Sequence, residues 1–271
     1  MQRNVVLILA IAFLGAGLYT LVRGGREGQA ARKAASTAIS VVTGTPRERA
    51  TAKLEEGEAL EQLERFDEAE RSYRAATEAD TSFGLASLRL GALRLVSGYR
   101  DEARAILERA IALDPKLSDA HFHMGFIHEE EGENDAAEAA YREAVRLDSA
   151  NAEAYNNLGH LLTRVGRPSE AIPVLEEGRR RDPESPFLAK NLGRAYARTG
   201  AWDLARPLLE QAAPVGVRDP EVFADLACLF RATGDERQAE SFFRRYLATE
   251  ADSTRRAEAA ARFEGVAPKK S

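Results

Sequence analysis

The feature that most limits the fold of this chain is a 34-residue period that begins near residue 50. A small residue recurs in each period, an alanine follows it twelve residues later, and a large apolar residue follows that alanine after four more. The small residues are Gly57, Gly91, Gly125, Gly159, Gly193 and Ala227, and the alanines are Ala69, Ala103, Ala137, Ala171, Ala205 and Ala239. Columns that stay in phase over about six copies indicate a repeat architecture.

Each period is predicted to form two helices. Gly98, Gly132, Gly166, Gly200 and Gly234 occupy one column, where glycine suits the left-handed residue that ends a helix. The second helix is predicted to end before "LDP" or "RDP", because proline cannot continue a helix. One helix pair cannot bury its apolar face alone, so stacked copies are needed to form a core. The expected copies are 50–83, 84–117, 118–151, 152–185, 186–219 and 220–251, followed by a capping helix over 252–265 and a tail over 266–271.

The copy over 152–185 carries "YNNLGHLL", "AIPVLEEG" and "DP". This pattern resembles the tetratricopeptide repeat over roughly residues 50–251. The resemblance implies an all-α fold, a right-handed superhelical solenoid of about six helix-turn-helix repeats plus a capping helix. It also implies a concave groove that binds a peptide or protein segment. Glu56 departs from the pattern, since other copies place Leu or Met there, and it puts the first helix of the first copy in doubt as a full member.

The first 23 residues differ in composition from the repeats. Val5 to Val22 contains no charge, and as a helix these 18 residues would span about 27 Å, close to the thickness of a bilayer core. We therefore expect a single-pass transmembrane anchor over 1–23 and a linker over 24–49. A cleaved signal segment and a buried soluble helix remain alternatives. Arginine and lysine after the segment favour a cytoplasmic repeat domain, with an extracytoplasmic or secreted domain as the alternative.

The groove residues are predicted from three positions of each first helix: three before, one after and five after the small residue. Residues three and four apart on a helix share a face. Read across copies, these positions and their neighbours give an aromatic and amide-rich middle and a basic carboxy-terminal end. Asparagine bonds an extended backbone, and arginine binds a carboxylate through two hydrogen bonds. The predicted groove residues are Phe122, His123, Phe126, Asn156, Asn157, His160, Arg164, Lys190, Asn191, Arg194 and Arg198.

No motif for catalysis, a metal or a cofactor is found. His121, His123 and His128 are not spaced for one helix face, so a structural role is expected for His128 and no metal site is predicted. Cys228 is the single cysteine and is expected to be a small packing residue. A net charge of -5 gives no sign of nucleic-acid binding. We expect neither an enzyme nor a small-molecule substrate.

These observations predict a membrane-tethered scaffold that presents its groove to a protein or peptide partner, in the assembly of a larger complex. Two alternatives stay open. The array could be an accessory subunit that presents substrate to a catalytic partner, or a structural protein that self-associates. Catalysis within the chain is not expected, because only about 20 residues follow the last copy.

Overall fold

The computed structural model describes residues 44–213 and 220–266, which contain thirteen α-helices and no strand. From α1 to α12, odd numbers mark the first helix of each 34-residue copy and even numbers mark the second. They are α1 (Pro46–Gln62), α2 (Phe66–Ala79), α3 (Gly84–Val96), α4 (Arg100–Leu113), α5 (Ser118–Glu130), α6 (Asn134–Leu147), α7 (Ala152–Arg164), α8 (Pro168–Arg181), α9 (Pro186–Arg198), α10 (Trp202–Ala212), α11 (Glu221–Ala232), α12 (Glu236–Thr249) and α13 (Ser253–Gly265).

The chain divides into two compact units, and the division falls inside α5 between Ile127 and His128. In the first unit α1 packs against α2 and α3 packs against α4, while α2 and α3 join the two pairs. In the second unit α7 pairs with α8, α9 with α10 and α11 with α12. The first helices of this unit also touch their neighbours directly, α7 with α9, α9 with α11, and α11 with α13.

At Gly57, Gly91, Gly159 and Gly193, the small residue lets the paired helices approach closely, as expected. A Cβ atom built at Gly159 would lie 2.3 Å from Cγ of Leu175, which is far inside contact distance. A Cβ at Gly91 would lie 2.8 Å from Cγ of Leu107. The column of alanines on the second helices is fully buried: Ala69, Ala103, Ala137, Ala171, Ala205 and Ala239. Gly159 within "NNLGH" is therefore a packing residue.

The turn inside each pair depends on one left-handed residue. Gly98, Gly132, Gly166, Gly200 and Gly234 have φ between 78° and 86°. Glu64 holds the same place in the first pair with φ 58°, a conformation that costs energy for a residue with a side chain. Glu56 does not disturb α1, because its side chain is exposed and pairs with Lys53.

The first helix begins inside the predicted linker. Thr45 and Glu48 form a capping box, and Pro46 occupies the first helical position, so local signals start α1 four residues before residue 50. The remainder of the linker up to residue 43 and the predicted anchor, 1–23, lie outside the described residues. Within 44–213 and 220–266, no helix combines the length and apolarity needed to cross a membrane.

The last pair is covered by α13, whose N-cap Asp252 accepts hydrogen bonds from the backbone of Thr254 and Arg255. Val222 to Phe230 of α11 are nine consecutive buried residues, so this helix needs neighbours on all sides. Phe263 of α13 stacks on Phe243 with ring centroids 4.5 Å apart, and Ala259 is buried with Phe223 and Tyr246. Ala261 follows Ala227 by one 34-residue period, so α13 continues the series of first helices.

Candidate interaction face of the first helices

The predicted groove residues lie on first helices, and these helices pair in one register. In two places, a side chain one position after the small residue meets the side chain 31 residues later on the next first helix. In the first unit, Nε of Arg89 lies 3.1 Å from Oε1 of Glu58. In the second unit, Nε of Arg194 donates to Oδ2 of Asp225 at 2.7 Å. We use the name first-helix face for the surface formed by residues on the first helices of 128–266, namely Asn156, Asn157, His160, Arg164, Lys190, Asn191, Arg194, Arg198 and Asp225.

Three predicted groove residues belong to the first unit. Phe122 and His123 meet edge to face with ring centroids 5.4 Å apart, and Phe126 is exposed. Burial lowers the pKa of His123, and the charge of Arg89 acts in the same direction, while Asp119 opposes them. A neutral His123 at physiological pH therefore belongs to an aromatic cluster in this unit.

The middle of the first-helix face is a chain of three amides. Nδ2 of Asn191 donates to Oδ1 of Asn156 at 2.9 Å, and Nδ2 of Asn156 donates to Oδ1 of Asn157 at 3.2 Å. Asn156 and Asn157 are half-buried. Asn191 is only 3% exposed, and among the described residues its Oδ1 has no hydrogen-bond partner. The amides are thus oriented by one another, and Asn156 and Asn157 stay partly accessible to solvent.

Glu129 organises the neighbouring part of the face. Its carboxylate lies 3.5 Å from Nδ1 of His160 and 3.2 Å from an Nη of Arg164, and it accepts a hydrogen bond from the hydroxyl of Tyr141 at 2.9 Å. Burial alone would raise the pKa of Glu129, but the bonds from His160 and Tyr141 and the charge of Arg164 bring it below its ordinary value. The ionised carboxylate therefore orients two predicted groove residues that remain partly exposed.

At the basic end of the face, one predicted groove residue is paired within the chain. Arg194 was expected to receive a partner's carboxylate, but its side chain is 14% exposed and is paired with Asp225, which is 6% exposed. Arg262 of α13 approaches the other oxygen of Asp225 at 3.4 Å. Asp225 was not among the predicted residues, although it lies two positions before the small residue, as the predicted residues His123, Asn157 and Asn191 do. The signal that would have found it is the spacing of 31 residues.

Lys190 and Arg198 complete the basic end. The ammonium of Lys190 lies 5.8 Å from the ring centroid of Phe187, within range of a cation–π contact. The side chain of Arg198 is exposed. The structure therefore joins Asn156, Asn157 and Asn191 by hydrogen bonds. Glu129 contacts both His160 and Arg164. Arg194 instead forms an ion pair with Asp225.

Two groups could in principle carry other chemistry. His128, Glu131 and Glu133 bring ligand atoms within 4.8 Å of one another, because the turn at Gly132 returns the chain toward His128. Spacing along a helix could not reveal this cluster. Nδ1 of His128 already bonds Glu133 at 2.6 Å, and both glutamates are exposed, so the cluster is explained as a hydrogen-bonded turn.

Cys228 is buried among core residues, and this burial raises the pKa of its thiol.

Comparison with protein families identifies the repeat. A model described as "Tetratricopeptide repeat" matches residues 19–82 and 156–222, and a second model described as "TPR repeat" matches residues 128–166. The first of these matches begins inside the predicted anchor and runs through the predicted linker. Comparison with curated protein sequences gave no match.

Solved structures share the fold. A structure titled "Functional Characterization of Pseudomonas Aeruginosa pilF" is 20% identical with a TM-score of 0.67, covering 80% of this chain and 98% of its own. MamA is 25% identical with a TM-score of 0.52, covering 64% of this chain and 95% of its own. YrrB, titled a TPR protein with an unusual peptide-binding site, is 18% identical with a TM-score of 0.56, covering 70% of this chain and 97% of its own.

Proposed function

We propose, on the premise that this chain belongs to the tetratricopeptide repeat family, that it is a scaffold that binds an extended segment of a partner protein on the first-helix face of residues 128–266. The observation that carries this proposal is the amide chain of Asn156, Asn157 and Asn191. Binding requires no bond chemistry, and the chain acts by holding its partner in place, in the assembly of a larger complex.

The amide chain suits a peptide backbone, because an amide side chain offers one acceptor and two donors in a plane. Asn156 and Asn157 are half-buried and already oriented, so a bound segment gains hydrogen bonds without first ordering these side chains.

His160 and Arg164 extend the same surface. Both are anchored to Glu129 and both keep a substantial exposed fraction, 38% and 42% of the side chain. A binding surface is specific when its polar groups are held by a second layer of bonds. Glu129 and Tyr141 form that layer here.

A membrane tether is part of the proposal. Residues 5–22 carry no charge and are long enough to reach across a bilayer core, so residues 1–23 would anchor the scaffold as a single-pass helix. The basic residues that follow favour a cytoplasmic repeat domain. Fractionation of cells that express the full chain, followed by protease treatment of sealed membranes, tests both statements. Recovery of the whole chain in the soluble fraction would refute the anchor.

Photo-crosslinking in cells tests the interaction face. A photoreactive residue at His160 of the full chain should give a discrete adduct with a partner, while the same residue at Glu210, exposed on the second helix α10, should not. Asn191 is unsuitable for the probe because it is buried. Adding Asn156→Ala to the His160 probe variant should reduce the adduct. Adducts from Glu210 alone, or from neither site, would contradict the proposal.

A further inference from the structure

A cavity of about 750 Å³ lies beside the turn between α9 and α10. The start of α10, the end of α11 and the residue that follows α13 form its other walls. Its volume is in the range of pockets that bind a ligand. The described residues that give the cavity its chemical character are Trp202, Asp203, Leu204, Ala232, Thr233 and Val266.

The cavity is mainly apolar and carries one negative charge. Trp202, Leu204 and Val266 supply large apolar side chains, and Leu204 is 55% exposed. Asp203 is the single carboxylate among the described lining residues, and it forms no ion pair within 44–213 and 220–266. An exposed leucine beside an unpaired carboxylate suits an occupant that joins small apolar groups to a positive charge.

The arginines around the cavity do not neutralise Asp203. Arg206, one turn further along α10, donates to the hydroxyl of Thr233 at 3.1 Å. Arg231, near the end of α11, donates to the backbone carbonyl of Val266 at 3.0 Å. The carboxylate of Asp203 therefore remains available to a cation from another part of the chain.

The chain leaves α13 at the wall of this cavity. Val266 lines the cavity and follows α13 with φ -77° and ψ 113°, an extended conformation. Its carbonyl is held by Arg231, and its side chain packs against the same core cluster as Trp202. The point at which residue 267 joins the described chain is therefore fixed next to Trp202.

The five residues that follow Val266 match the cavity in chemistry. They are Ala267, Pro268, Lys269, Lys270 and Ser271, and they lie outside the described residues. Two small apolar residues come first and two cations come next. Five extended residues reach about 17 Å, which is further than the width of a cavity of this volume.

We propose that residues 267–271 occupy the cavity of their own chain. Proline favours an extended conformation for Ala267, which continues that of Val266, and it has no N–H group that an apolar cavity would leave unsatisfied. The lysines that follow pair with Asp203 or lie over the indole ring of Trp202. The segment thereby joins α13 to the turn between α9 and α10.

This inference goes beyond the proposed function and does not depend on it. No residue of the first-helix face is among the described residues that line the cavity. Loss of partner binding at that face would leave the cavity and its occupant in place.

Trp202 is the single tryptophan of the chain, so its fluorescence reports on the cavity. The measurement is the quenching of this fluorescence by acrylamide, a neutral quencher, in the full chain at constant ionic strength. In a variant with Lys269→Glu and Lys270→Glu, the quenching constant should rise about twofold, because losing an exposed ion pair shifts the segment out of the cavity and uncovers the indole. The control Lys116→Glu reverses an exposed lysine between α4 and α5 and should change nothing.

Charge reversal on the cavity side separates the ion pair from a structural effect. Asp203→Lys should also raise the quenching constant, because it repels the lysines of the segment. Combining Asp203→Lys with Lys269→Glu and Lys270→Glu restores opposite charges, so the protection of Trp202 should return. Disturbed packing at the start of α10 would not be repaired by substitutions in 267–271.

Three results would overturn the inference. The first is an unchanged quenching constant in the variant with Lys269→Glu and Lys270→Glu, and the second is an equal rise in Lys116→Glu. The third comes from dilution of the unsubstituted chain: protection of Trp202 that weakens as the protein is diluted would mean that a second copy supplies the occupant. Protection that is independent of protein concentration supports occupation by the same chain.

Discussion

The two units use the same spacing of 31 residues to join adjacent first helices, but they do so in different surroundings. In the first unit, Glu58 and Arg89 are 38% and 41% exposed and lie 3.1 Å apart. In the second unit, Asp225 and Arg194 are 6% and 14% exposed and approach to 2.6 Å. Exposed pairs contribute little to stability, whereas a partner lost from a buried pair leaves an uncompensated charge. The repeat determines which positions come together, and burial determines how much the resulting ion pair contributes to stability.

Asp225→Ala should have the largest effect. It leaves Arg194 and Arg262 without their carboxylate in a buried setting, so we expect the free energy of unfolding to fall by about 3–5 kcal/mol. Chemical denaturation of the full chain measures this loss. A loss below about 1 kcal/mol would show that water solvates both arginines and that the two units do not differ.

Gly159→Ala tests the close approach of paired helices and should rank next. Its new Cβ would lie 2.3 Å from Leu175, so overpacking should cost about 1–3 kcal/mol despite the higher helix propensity of alanine. Gly91→Ala in the first unit should cost less, because the same atom would lie 2.8 Å from the flexible side chain of Leu107. Gly265→Ala is the control, since nothing lies within 4 Å there. Thermal melting of the three variants gives the order.

Glu129→Gln tests the network under His160 and Arg164. The folded-state pKa of Glu129 lies below its ordinary value of 4.5, so its ionised form adds stability above that pH, and this stability is lost as the pH falls through the folded-state pKa. Glu129→Gln should cost about 1 kcal/mol at pH 7 and less at pH 3. Melting at both pH values measures the difference. An equal loss at both would contradict a role for the ionised carboxylate.

Glu58→Ala should have the smallest effect, at most about 0.5 kcal/mol, because its pair with Arg89 is exposed to solvent. Urea titration in low and high salt is the measurement, and any loss should shrink as salt is added. A loss comparable to that of Asp225→Ala would erase the contrast between the two units.

Much of the fold could be predicted from the sequence, because its signals are local. Gly98 and its equivalents end first helices where a left-handed residue is needed, and Pro115 and Pro183 follow the ends of second helices. Gly159 and Leu175 were assigned to packing columns, and the structure shows them in contact range. The start of α1 was missed, because the capping box of Thr45 and Glu48 precedes the first residue of the repeat.

The face was harder to predict than the fold. A residue's position on a first helix indicates where it points, but Asn191 and Arg194 are engaged by Asn156 and Asp225 on neighbouring helices. Such partners lie 31 or 35 residues away, and a column comparison at one repeat position does not pair them. That Arg194 is already paired with Asp225 follows from these contacts alone.

The sequence by itself determined the helix pairs, the turns within them and the columns of small residues, because each depends on backbone conformation and side-chain volume repeated every 34 residues. Only the tertiary structure decided which polar side chains are already occupied. Whether an arginine binds its neighbour or remains available depends on differences of about an ångström between helices, since charge pairs and hydrogen bonds weaken steeply with distance and with exposure to water.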